Sequence, residues 1–152
     1  MDIPAHHHRA QLLQIIYCSR SRITGTPEQV APMLAQLVAT SRRNNASDWI
    51  SGVLLYNGTA FAQVLEGPAN AVESCLNRIQ QDPRHSNLVV VSRNPIQRRL
   101  FSAWSMAYID GASFRLLSES AIDLEAILAT GKSQPGFVLN LLRDVMGTQG
   151  YA

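Results

Sequence analysis

Two cysteines in 152 residues fit a reduced compartment better than a disulfide scaffold, and Cys18 and Cys75 lack the Cys-x-x-Cys spacing of a metal site. No apolar run approaches the roughly 18 residues of a membrane span, and no signal-peptide pattern precedes the first apolar stretch. Charge is also scarce. Charged residues make up 16% of the chain and the net charge is +2, with the arginines dispersed, so no nucleic-acid footprint is visible. Absent too are a GxGxxG after a strand, a P-loop, a GxSxG elbow and an HExxH pair, and no serine or cysteine stands in the setting of a nucleophile with its base. His6, His7 and His8 are consecutive, but a metal site would need a further ligand elsewhere. They read as part of a flexible or vector-derived leader over 1–11. A soluble cytoplasmic protein, without membrane or direct nucleic-acid contact, is expected.

What is present is a globular composition, 46% hydrophobic, enough for one ordinary domain with a helical appendage. LLQIIYCS (12–19) reads as a first strand with Leu13, Ile15 and Tyr17 on one face. Thr26, Pro27 and Gln29 form a helix-start signature of cap, first-turn proline and capping-box glutamine. Val30, Met33, Leu34, Leu37 and Val38 then follow the helical period. Pro32 removes one early hydrogen bond, which predicts a kink or a later start. The helix is expected to end near Asn44–Asp48. WISGVLLY (49–56) and TAFAQVLEG (59–67) flank Asn57-Gly58, a strong hairpin signal.

Pro68 opens a second helix with Val72, Cys75, Leu76 and Ile79 on its apolar stripe, ended by Asp82-Pro83. NLVVVSR (87–93) and LFSAWSMAYI (100–109) read as the fourth and fifth strands. The order βαββαββ predicts an α+β fold, a five-stranded mixed sheet with both helices on one face. Two further helical stretches, Leu116–Thr130 and Gly136–Met146, must bury their apolar stripes on the other sheet face or on another chain. The expected division is a leader (1–11), a folded domain (12–110) and a C-terminal helical extension (111–152).

Polar residues stand in unexpected places. Gln63 lies between Phe61 and Leu65 on one strand face, where an unpaired amide would cost roughly 1–3 kcal/mol. Tyr17 shares a face with Leu13 and Ile15, and Asn44-Asn45 closes the first helix. Each has an ordinary alternative: a structurally satisfied glutamine, a core tyrosine, a C-cap.

Asn44-Asn45, then ISG, LLY, FAQVLEG, DPRH and FSAWSM, in this order and spacing, resemble the BLUF domain, a flavin-dependent blue-light sensor, over about residues 12–110. The resemblance implies a ferredoxin-like sheet holding FAD between its two helices. It implies that Asn45 hydrogen-bonds the polar edge of the isoalloxazine, with Asn44 a second contact. Leu37 and Ile79 would be apolar plates on either side of the ring. Arg78 would meet a phosphate, and Arg84 or His85 a flavin carbonyl, although solvated helix ends are the ordinary alternative for the two arginines.

Tyr17 would donate an electron and a proton to the excited flavin, and Gln63 would bridge it to the flavin. Gln63 would be left rotated or tautomerised, giving a red-shifted signalling state. Trp104 and Met106, two apart on a strand, would transmit the change, or simply pack; Ser41 would join the network. Departures from the family pattern are Ser51 in place of Thr, Pro32 in the first helix, and Trp49, an extra aromatic that would quench the flavin or cap the core.

The reading is therefore a stand-alone photoreceptor without a fused enzyme, reporting to a downstream protein effector or by self-association, with a homo-oligomer expected. The alternatives are a ferredoxin-like small-molecule enzyme similar to acylphosphatase, active without light, and a flavin-free interaction module.

Overall fold

A computed structural model of the chain describes residues 11–102, 105–109, 126–131, 136, 138–140 and 142. The elements run β1 (Leu12–Ser21), α1 (Pro27–Ser47), β2 (Ser51–Tyr56), β3 (Ala60–Pro68), α2 (Ala69–Gln80), β4 (His85–Ile96) and β5 (Ala107–Ile109). The sheet order is β4-β1-β3-β2-β5. Neighbours are antiparallel except β2 and β5, which are parallel and make the sheet mixed. This is the expected ferredoxin-like α+β arrangement. The leader with His6, His7 and His8 lies outside the described residues, as does Trp104.

Local chemistry accounts for the element starts. Thr26 caps α1 through its hydroxyl, Gln29 returns the bond to the Thr26 backbone, and proline occupies the first turn. The helix continues through Pro32, which lies on its exposed side together with Glu28. The carbonyl that loses its helical donor is thus on the solvent side, where water replaces the missing partner. Between β2 and β3, Asn57 Oδ1 accepts from the backbone N–H of Thr59 (2.9 Å) and Ala60 (2.7 Å), and Gly58 takes φ +99°. Gly52 sits where β2 meets β3 so closely that a Cβ would come within 1.9 Å of the Val64 carbonyl oxygen, which excludes any side chain there.

Period-two alternation divides the core into two faces. Leu13, Ile15, Tyr17, Leu54, Phe61 and Leu65 face α1 and α2, meeting Leu34, Val38, Val72, Cys75 and Leu76. Ile16, Cys18, Val53, Leu55, Ala62 and Val64 face the other way and pack with Ile127, Leu128, Val138 and Leu142 of the C-terminal region. Those four residues place the described part of the tail on the sheet face opposite the two helices. Most of the stretches 116–130 and 136–146 lies outside the described residues.

Several expectations need correction. The fifth strand is not 100–109 but Ala107–Ile109. The buried Glu66 carboxylate takes the N–H groups of Leu100 (3.0 Å) and Phe101 (2.9 Å), so these donors are lost to a sheet ladder. Arg99 adds bonds to Trp49 O (2.6 Å) and Ser51 Oγ (3.0 Å), pinning the same connector. Met106 therefore precedes the strand rather than lying on it. β4 is longer than 87–93, and β2 starts at Ser51 because Trp49 adopts φ +61°. Trp49 is 75% exposed, so it does not cap the core. Met33 is likewise exposed, and only Leu34 and Val38 of the α1 stripe are fully buried. Asn44 and Asn45 lie inside α1, whose C-cap is Asp48.

Candidate functional site

The antiparallel register sets Tyr17 of β1 directly opposite Gln63 of β3, and Leu54 of β2 opposite Gln63 on its other side. Directly opposed residues share a face at close range, so phenol and amide meet beneath α1 and α2. The Tyr17 hydroxyl donates to Gln63 Oε1, and Gln63 Nε2 donates to Met106 Sδ at 3.3 Å. Because a thioether sulfur can only accept, the amide N–H turns to Met106 and leaves Oε1 facing the Tyr17 hydroxyl. The three side chains form one hydrogen-bonded row, and all are buried.

Burial pushes the Tyr17 phenol far above its ordinary range, reinforced by Cys75, Cys18 and Asp82. Tyr17 therefore stays protonated across the physiological range, with its O–H directed at Gln63. Burial also raises the thiols of Cys75 and Cys18, the latter up to about 12. These thiols are protonated, weakly polar neighbours rather than nucleophiles.

The row opens into a cleft of about 200 Å³ between the helices, lined by Tyr17, Gln63, Asn44, Asn45, Leu37 and Ile79, among others. Ser41, Arg78, Arg84 and His85 also border it. The structure thus brings together ten of the residues singled out in the sequence, plus Met106 through its bond to Gln63. Thr40, Leu54, Phe61, Cys75 and Asp82 complete the lining and were not assigned from sequence. Leu54 and Phe61 were legible in principle, since hairpin pairing and strand alternation put them on the face of Gln63.

The polar groups differ in how committed they are. Asn45, buried within α1, donates from Nδ2 to Ser105 O at 2.9 Å, while its Oδ1 meets only the Cys75 thiol among the described residues, at 3.9 Å. Arg78 pairs with Asp48 at 3.2 Å with both side chains more than one-third exposed, an interaction weak enough to be exchanged. Arg84 is clamped on Asp82, which accepts from its backbone N–H, Nε and Nη2. The Arg84 hydrogen bond holds the Asp82 carboxyl below its usual range, and the same bond raises Arg84. His85 bonds Ser19 Oγ (2.7 Å) and Ile79 O through its two ring nitrogens. Donation to a carbonyl requires the proton on Nε2. Neither ring nitrogen of His85 is then spare for a ligand, and its contribution to the cleft is ring surface. Asp82, read in sequence as a helix stop, is what occupies Arg84.

The donor set fits an isoalloxazine. Such a ring is flat and apolar on its faces, and carries a carbonyl–N–H–carbonyl edge. Leu37 and Ile79 offer apolar surface from the two helices, and Asn45 offers an acceptor whose protein partner is a distant thiol. A cleft of this size does not enclose a whole dinucleotide, given the roughly 300–1,000 Å³ typical of small-molecule pockets. It suits the ring, with Arg78 at its border for an anionic group.

Among the described residues there is no group of side chains suited to a metal ion, and no helix long and apolar enough to cross a membrane.

Comparisons with known proteins agree with this geometry. A family model described as BLUF, sensors of blue light using FAD, matches residues 12–107. The solved dark-state structure of BlrB, a BLUF protein, superposes with a TM-score of 0.74 at 34% identity, covering 91% of this chain and 98% of that one. The blue light- and temperature-regulated antirepressor BluF of Escherichia coli (strain K12) is 31% identical over 123 residues, which cover 81% of the chain. Photoactivated adenylate cyclase subunit beta of Euglena gracilis is 40% identical over 74 residues, or 48% of the chain. The matched segments span only 28% of the antirepressor and 9% of the cyclase subunit.

Proposed function

The chain belongs to the BLUF family, the sensors of blue light using FAD, and on that premise we propose that its switch is the row Tyr17–Gln63–Met106. The matched domain is a photoreceptor rather than an enzyme, and its cofactor is FAD. An acylphosphatase-like enzyme and a flavin-free module are thereby set aside.

When bound, the flavin supplies the blue-light absorption and, once excited, a strong one-electron oxidant. The residues of the chain do the rest. Leu37 and Ile79 would hold the ring between the helices. Asn45 Oδ1 would accept from the ring N–H, with Asn44 and Ser41 beside it, and Arg78 would exchange Asp48 for phosphate. Arg84 and His85 border the ring, with Arg84 held by Asp82 and His85 by Ser19 and Ile79 O. Tyr17 would give up an electron together with the proton that it already directs at Gln63 Oε1, and both would return to it, leaving no net redox change and only the bonding of Gln63 altered. A glutamine that has accepted that proton, or turned end over end, presents a different hydrogen-bond pattern at both ends. The altered bonding of Gln63 at the polar edge would lower the excitation energy slightly and so define the red-shifted state.

The observation that carries this reading is that both buried amides of the cleft have sulfur as a partner: Gln63 Nε2 with Met106 Sδ, and Asn45 Oδ1 with the Cys75 thiol. Thioethers and thiols are weak hydrogen-bond partners, so each amide retains capacity for a stronger one. Gln63→Leu should bind FAD and show no red shift under blue light; a normal red shift in that variant would refute the switch.

In the same proposal, residues 12–110 form the sensor and 111–152 a helical extension through which the signal reaches a downstream effector protein or changes self-association. Trp104 and Met106 would carry the change towards it. The chain is taken as a cytoplasmic homo-oligomer.

A further inference from the structure

Residues 105 and 106 precede β5 and have no ladder partners, so their carbonyl groups need donors from elsewhere. α1 provides them. Arg42 Nε donates to Met106 O at 2.8 Å, and Asn45 Nδ2 donates to Ser105 O at 2.9 Å. Arg42 and Asn45 are three apart, on one side of the helix. Met106 is thus held twice, by Arg42 at its carbonyl and by Gln63 at its sulfur, and is 1% exposed. Arg42 itself is an exposed residue and does not line the flavin cleft.

We infer that Arg42 is a positioning residue which holds Met106 against Gln63 and thereby shortens the lifetime of the light-induced state. The inference rests on Gln63 being the switch. In the present geometry the glutamine N–H points at the thioether. A rotated Gln63 turns its carbonyl oxygen to the same sulfur, acceptor against acceptor, and the N–H···S bond is gone. The strain is relieved if Met106 withdraws. Withdrawal that carries the backbone at 106 with it stretches the Arg42–carbonyl bond, which at 2.8 Å is lost after a displacement of less than about 1 Å. Arg42 therefore opposes the relaxation that would stabilise the rotated glutamine, and favours return to the starting arrangement.

The test uses the full chain loaded with FAD, with dark recovery followed by absorbance after a blue-light pulse. Arg42→Met keeps the apolar stem and removes the donor. It should retain FAD and form the red-shifted state, and recover about three- to tenfold more slowly, the scale of one partly exposed charge-assisted bond. Arg42→Lys restores a cationic donor and should return the rate towards that of the parent.

In a Met106→Leu background, which removes the sulfur, Arg42→Met should have little further effect on the rate. Unchanged or faster recovery in Arg42→Met, loss of its red shift, or full additivity with Met106→Leu would each overturn the assignment. Failure of the underlying switch reads out separately, as a normal red shift in Gln63→Leu.

Discussion

Removing the Glu66 carboxylate should destabilise the domain more than any change at the cleft itself. Glu66 is fully buried on the sheet face opposite the flavin site. Its Oε1 accepts from Leu100 N and Phe101 N, and its Oε2 from Gln14 Nε2 at 2.9 Å. Leu100 is 45% exposed, so water can reach its N–H when the carboxylate is gone. The Phe101 N–H and the Gln14 amide are buried and would lose their acceptor. Two stranded donors at about 1–3 kcal/mol each give roughly 4 kcal/mol for Glu66→Ala.

At about 2–4 °C per kcal/mol for a chain of this size, the melting temperature should fall by roughly 8–16 °C. Glu66→Gln should be much milder, about 1–2 kcal/mol. Its carbonyl can keep both backbone donors, and Gln14 can turn over to accept from the new amide, so only the charge assistance is lost. Thermal and urea unfolding must be read at one fixed excess of FAD, since cofactor binding adds to apparent stability. A Glu66→Ala variant within about 0.5 kcal/mol of the parent, the range of an ordinary surface change, would refute the reasoning. So would equal damage from Gln and Ala.

Three further outcomes are expected. Tyr17→Phe should bind FAD and fail to form the red-shifted state, as tested by difference spectroscopy; a parental light response there removes Tyr17 as donor. Asn45→Ala loses the bond to Ser105 O and, on the proposed reading, the ring acceptor, so the flavin-to-protein ratio after gel filtration should fall several-fold, about 1–2 kcal/mol of binding. An unchanged ratio argues against the edge contact.

Asp82, held below its usual range mainly by the Arg84 hydrogen bond, contributes stability that is present above the unfolded carboxylate value of about 4 and lost as pH falls through its lower folded value. The pair is partly exposed, so the effect is small. Asp82→Asn should flatten that part of the acid-unfolding curve, and an unchanged curve would count against the pair.

Local chemistry was readable because its causes lie within a few residues. The Thr26–Gln29 capping box and the Asn57-Gly58 hairpin each depend on neighbours in the chain. Strand alternation likewise fixed the shared face of Phe61, Gln63 and Leu65. The fifth strand was misread for the opposite reason. LFSAWSM is as apolar as a strand, but the donors at Leu100 and Phe101 are taken by Glu66, a residue 34 and 35 positions earlier, and no window along the chain contains both. Asp82 escaped notice similarly, since helix-stop chemistry gave it a sufficient local role. Trp49 looked like a strand residue until its positive φ turned it outward. The composition of the cleft was legible through resemblance, whereas its hydrogen-bond direction, phenol to amide to sulfur, needed coordinates.

The alternation of β3 has a consequence for anyone who rewires this chain. Gln63 and Glu66 stand on opposite faces of one strand, the first at the flavin cleft and the second on the connector that leads back to Met106. Sensor and anchor are therefore separated by the parity of residue number and share a single backbone. Inserting or deleting one residue immediately before Gln63, with Phe61 held in register, would exchange the two sides, sending a carboxylate towards the flavin and an amide towards the tail. Grafts and fusions that preserve this odd–even bookkeeping keep the circuit whole; those that break it by one disconnect both ends at once.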